Sequence, residues 1–323
     1  MDNIFICSTR YLKIKEQNFD INLGFSNFSD KETLLRNIFK NQNILLQIGT
    51  NHLPPLENTP YFYNIIDEKL SLEVRTRNSE KKLELFQMVI SNLWFIKDCS
   101  CNTREYLDIS INKNFCVPRM RTIFFSNSKG QYIEQIFSFD DLLKSIDITN
   151  KIIDIQNNEI SEEVINKKPN QEIGNITPGD NNFLHYYNTN RIQRAFNFLT
   201  LARTNSNLPI KISFYIGVLE TLFTLDSSEV THKVSERISF YLENTLDKLT
   251  TFKTIKECYS IRSKFVHGQK LEKKYTYEKL AETSSKIDNI VRILLNKVIS
   301  EDSEIFLKNS TDLNTYFNEI IFK

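Results

Sequence analysis

With 323 residues the chain can hold one large core or two of ordinary size. Its 40% hydrophobic and 25% charged content is that of a globular protein, which excludes a disordered or fibrous chain. A formal net charge of +1 excludes a molecule-wide field for nucleic acid or anionic membrane, so any such footprint must be local.

The opening "MDNIFICSTRYLKIK" lacks a basic segment followed by an apolar core, so no signal peptide is expected. No apolar run has the length of a membrane span. Five cysteines, an odd number in a chain without export signals, suit a reducing cytoplasm. Cys99 and Cys101 form a C-x-C without a second pair at zinc spacing, and they read as ordinary thiols near a helix end rather than as metal ligands.

In chain order, "IFICS" (4–8), "ILLQIG" (44–49) and "TIFFS" (122–126) are short apolar runs suited to buried strands. "LSLEVRT" (70–76) alternates and reads as a strand. A Ser-Lys-Gly turn signal between "TIFFS" and "YIEQIFSF" (132–139) predicts a hairpin over 122–139. Helices are expected at about 30–41 and 80–97, the second placing Leu83, Phe86, Val89 or Ile90, and Leu93 on one face. Residues 1–155 thus read as an α+β domain without a catalytic constellation, its His52 a loop residue. Residues 156–182 are polar, contain Pro and Gly, and lack apolar periodicity, which marks a linker or long loop.

From 183 to 323 the pattern is helical, with helices expected at 183–204, 209–225, 228–247, 251–267 and 276–299. The second begins at Pro209 and is apolar nearly all round, so it should be central. Glu220 stands alone on it among Ile216, Val218, Leu219, Leu222 and Phe223. On the fourth, Phe252, Ile255, Tyr259, Arg262 and Val266 share a sector of about 80° at about 100° per residue. Arg262 therefore lies on the apolar stripe, a costly place unless it is paired or borders a polar cleft. Arg237, on the third helix, shares a sector with Val230 and Tyr241. Two arginines and one carboxylate are thus expected to point into one bundle interior, either as a buried ion pair fixing helix register or as part of a site.

His267 follows Arg262 by five positions, about 140° round a regular helix. Gly268 comes next, and glycine is the usual residue just past a helix end. A frayed end could redirect the imidazole, or a two-fold dimer could bring Arg262 of one chain to His267 of the other. Residues 252–274 carry seven lysines and arginines against Glu257 and Glu272, a local basic patch suited to a phosphodiester or else a solvated lysine-rich loop. His232, opposite Val230 and Val234, reads as a solvent-facing or packing residue.

The segments "IGVLETLFT", "SSEVTHKVSERISFYLE" and "CYSIRSKFVHG", in this order and at these separations, resemble the HEPN superfamily in its Apea-like branch. The resemblance covers 210–270 strongly and 183–300 loosely; the first half resembles no family we can name. It implies a helical bundle that dimerises and, in active members, a metal-independent RNA endonuclease without cofactors. The family's R-x4–6-H motif falls on Arg262 and His267. His267 would manage proton transfer around 2′-hydroxyl attack or 5′-oxygen departure, and Arg262 would hold the scissile phosphate. The products would be 2′,3′-cyclic phosphate and 5′-hydroxyl ends. Glu220 and Arg237 match recurrent polar positions of the branch and would organise the site. Ser263 stands where many active members carry Asn, Asp or His, and Lys264, Lys270, Lys273 and Lys274 are candidate RNA contacts. The expected fold is an α+β N-terminal domain followed by an all-α HEPN-like bundle. The expected role is an effector of bacterial antiviral defence or a toxin, with RNA, a second copy and an antitoxin or trigger protein as partners and no membrane. The alternative is a non-catalytic HEPN-like dimerisation module that binds RNA, a nucleotide or a protein.

Overall fold

The computed structural model describes residues 3–49, 59–66, 72–120, 124–157 and 189–322. His52 and nearly all of the expected 156–182 linker lie outside these residues, as does the start of the first expected bundle helix. The chain divides into two compact units, Met1–Asn127 with Gln131–Thr149, and Ser128–Gly130 with Asn150–Lys323. The first is α+β and the second helical.

In the first unit, strands β1 (Asn3–Arg10), β2 (Leu12–Ile14), β3 (Asp20–Asn22) and β4 (Asn27–Ser29) precede helices α1 (Glu32–Phe39) and α2 (Gln42–Ile48). Strand β5 (Tyr61–Ile66), helix α3 (Leu72–Asn92), β6 (Asn102–Ser110), β7 (Phe115–Met120), β8 (Gln135–Phe137) and helix α4 (Phe139–Asn157) follow. Six strands form an antiparallel sheet of order β3-β4-β5-β1-β6-β7. Central β1 is covered on both faces, which explains its unbroken apolar run. Ile4 and Ile6, with Leu107 and Ile109, meet Leu35 and Ile38 of α1 and Ile44 and Ile48 of α2. Phe5 points the other way, toward Phe86 of α3, whose ring stacks on Phe62 at 4.3 Å. The outer edge of β7 is closed to further pairing at two places. Pro118 has no N–H, and the Cys116 N–H donates to the Gln47 side chain at 2.8 Å.

Three expectations for this unit are corrected. "ILLQIG" is helical: Asn41 caps α2, and burial of Ile44 and Ile48, with Leu46 80% exposed, follows the helical period. "LSLEVRT" lies, from Leu72, at the start of α3, because no breaker separates it from the strongly periodic residues after it. The 122–139 hairpin does not form over its described part; β8 pairs in parallel with β2 instead. Asn102 bonds both the N–H and the carbonyl of Phe125, and Ser100 does the same for Ile133. Side chains thus satisfy the backbone that a ladder would have served.

The second unit contains α5 (Arg191–Thr204), α6 (Leu208–Phe223), α7 (Val230–Tyr241), α8 (Lys248–Val266), α9 (Tyr277–Ser300), α10 (Ser303–Leu307) and α11 (Ser310–Ile321). Helix α6 is central, as its all-round apolar surface predicts, and touches α5, α7, α8 and α9. Gly217 lets α5 close on it: a Cβ there would stand 2.7 Å from the Phe198 ring. The two last helices bury Phe306, Leu313 and Phe317, and Phe317 stacks on Phe223 of α6 at 5.0 Å. No helix among the described residues is long and apolar enough to cross a membrane.

Candidate functional site

Helix α8 carries the Arg/His motif, and both of its ends are chemically specified. Asp247 caps its start by accepting from the Thr250 N–H. At its end Gly268 adopts φ +67°, the Gly268 N–H donates to Phe265 O, and the Gln269 N–H donates to Lys264 O. These two bonds make a Schellman motif. His267 is the C-cap residue, so the helix stops where glycine predicts it.

The stripe containing Arg262 leaves the bundle along the length of α8. Ile255 and Tyr259 are buried, the Arg262 side chain is 36% exposed, and Val266 is exposed. Arg262 therefore borders solvent rather than a dry interior. Glu220 of α6 holds it in a bidentate pair, Nη1 to Oε1 at 3.1 Å and Nη2 to Oε2 at 3.0 Å. Of the five N–H donors of a guanidinium two are engaged, leaving the Nε side open. Burial raises the Glu220 pKa, against the opposing pull of Arg262 and a smaller one from Tyr259. The buried Tyr259 hydroxyl lies near enough to Glu220 to interact with its carboxylate. Burial, then that carboxylate, drives the phenol pKa upward.

The imidazole of His267 is exposed and engages no side chain among the described residues. Arg262 and His267 thus share the last two turns of α8 but not a face. Ser263 is exposed. The four candidate lysines divide. Lys264 and Lys274 both pair with Glu272, Lys274 at 2.8 Å, and together they hold its carboxyl down at about 2. Lys270 and Lys273 are exposed and have no ion-pair partner among the described residues.

Arg237 does not join Glu220 and Arg262. It is buried, donates to Phe223 O at 2.8 Å and to Asn314 Oδ1 at 3.3 Å, and covers the Phe317 ring. It closes the C-terminus of α6 and ties it to α11, a helix whose presence the sequence reading does not include. Arg191 serves the same helix end, donating to the carbonyls of Thr221 and Thr224. Its position as the first residue of α5 gave no sign of that role. His232 is exposed, edge-on to Phe252 at 5.5 Å and 4.0 Å from Glu236. All five cysteines are buried and none is in a disulfide, and no group of three or more His, Cys, Asp or Glu among the described residues could hold a metal.

No family model, curated protein or solved structure matches this chain.

Proposed function

We propose that the helical unit is a HEPN-like RNA endonuclease that acts as a homodimer. One observation carries the reading: a half-exposed arginine, oriented by a partly buried carboxylate, lies about one and a half helical turns before a histidine exposed at a glycine-terminated helix end. The open donors of Arg262 would grip a non-bridging phosphate oxygen and stabilise its developing charge. In the cleavage step the RNA 2′-oxygen bonds to phosphorus as the bond to the 5′-oxygen breaks. His267 would take the hydroxyl proton or supply one to the leaving oxygen. Because the two side chains share no face, the complete site is assigned to two chains, with Arg262 of one opposite His267 of the other. Phe265 and Val266, exposed beside His267, supply apolar surface for that contact. Lys270 and Lys273 extend the phosphate track. A role in antiviral defence or as a toxin, with an antitoxin or trigger protein, follows from the family resemblance.

A second reading has its own support. Glu220 grips Arg262 as a register-fixing ion pair would, which suits a non-catalytic dimerisation module. Incubation of the protein with mixed RNA in EDTA separates the two. For the enzyme, cleavage persists in chelator and falls by about 100-fold or more in folded Arg262→Ala and His267→Ala variants. Intact RNA under every condition, or equal cleavage by all three proteins, selects the module.

A further inference from the structure

The α+β unit contains a groove of about 840 Å³, bordered by the residues around β2, the start of α1 and the entry to β5. That volume lies within the ~300–1,000 Å³ range of small-molecule sites. Its charges are unevenly committed. Both of its carboxylates are occupied: Asp30 accepts from the Asn18 and Phe19 N–H groups at 2.9 and 2.7 Å, and Glu32 pairs with Arg36. Lys13 is paired with Glu134 at 2.6 Å. Lys31 and Lys40 line the same groove, and neither side chain has a partner among the described residues. Asn18, Thr33 and Asn37 also line it, and their side chains make no hydrogen bond there. A ligand entering meets two free cations, carboxylates already satisfied, and amide groups able both to donate and to accept.

We propose that this groove binds a nucleoside polyphosphate, its phosphates on Lys31 and Lys40 and its base or sugar edges on the free amides. The assignment is independent of the ribonuclease reading, which concerns the other unit. The charged contacts give an affinity that falls with salt, and the amides distinguish a nucleotide from a bare phosphate chain.

Calorimetric titration of the full-length protein with ATP, inorganic triphosphate and adenosine at low salt tests the proposal. ATP should saturate with a Kd below ~100 μM, triphosphate should bind more weakly, and adenosine should not saturate. A Lys31→Glu/Lys40→Glu variant, folded by circular dichroism, should weaken ATP by about tenfold or more. Asn37→Trp, which fills the groove without touching its charge, should do the same. A Lys270→Glu/Lys273→Glu variant should bind ATP as the parent does, which separates this groove from the basic loop of the helical unit. The proposal is overturned by no saturation up to ~1 mM ATP. Parental affinity in both groove variants, or triphosphate binding as tightly as ATP, would equally sink it.

Discussion

The protonation state of Glu220 governs how Arg262 is held. Burial raises the carboxyl pKa although an arginine lies against it, so the folded protein keeps a proton that the unfolded chain has already released. The sign follows from linkage: in the window between the ordinary and the raised value, the group's contribution to stability falls as pH rises. Glu220→Gln removes that dependence. Urea stability of the parent minus that of the variant should therefore decline with rising pH through this window and level off above it. A flat difference across the acid range would show that the pair is not desolvated. The same substitution leaves one carbonyl oxygen to accept from Arg262 and frees the other engaged donor, so any change in RNA affinity reports how much of the guanidinium Glu220 withholds. At the opposite extreme, Glu272 is exposed and held at about 2 by Lys264 and Lys274. Whatever that link contributes is present above the ordinary glutamate value and is lost as pH falls toward 2. A carboxyl resonance of Glu272 titrating near 4 would contradict the link.

Between elements, two arginines with similar sequence contexts do different work. Arg237 is buried and serves a helix end, so Arg237→Ala leaves the α6 carbonyl at Phe223 and the Asn314 amide short of a donor. It should cost about 2–4 kcal/mol in urea unfolding, against under about 1 kcal/mol for the half-exposed Arg262→Ala. Equal costs would return Arg237 to the Arg262 site. Gly268 sets the other boundary that matters. Nothing lies within 4 Å of a Cβ there, so Gly268→Ala costs only the left-handed backbone, about 1 kcal/mol. The helix end of α8, the central place of α6 and the stripe bearing Arg262 were legible because glycine, all-round apolarity and period act locally. The destination of Arg237 was not, because it depends on α11, which packs against α7 from 70 residues or more further along the chain. "LSLEVRT" and "ILLQIG" misled for a related reason: short apolar runs fit either period, and flanking caps and neighbours decided between them. Nothing in residues 1–155 signalled the groove, since its free lysines are distinguished only by which partners their neighbours already have.

Across the whole chain a net charge of +1 leaves the proposed RNA binding to a few local cations. The basic segment 252–274 looks stronger in sequence than it is in space, because Glu272 occupies Lys264 and Lys274. Three groups near the helix end remain open: Arg262 on its Nε side, Lys270 and Lys273. Each phosphate neutralised on a single strand contributes about −0.7 to the slope of log K against log salt, so three contacts predict a slope of about −2. Fluorescence anisotropy of a labelled single-stranded RNA between about 50 and 200 mM salt measures it. Lys270→Glu/Lys273→Glu should flatten the slope to about −0.7, the one contact left by Arg262. Glu272→Gln works in the opposite direction. By releasing Lys264 and Lys274 it should steepen the slope to between about −3 and −4 and tighten binding at low salt. If Glu272→Gln leaves the slope unchanged, those two lysines face away from the RNA, and the track runs only through Lys270 and Lys273. A parental slope near zero would remove the phosphate track altogether and leave the helical unit as a dimerisation module.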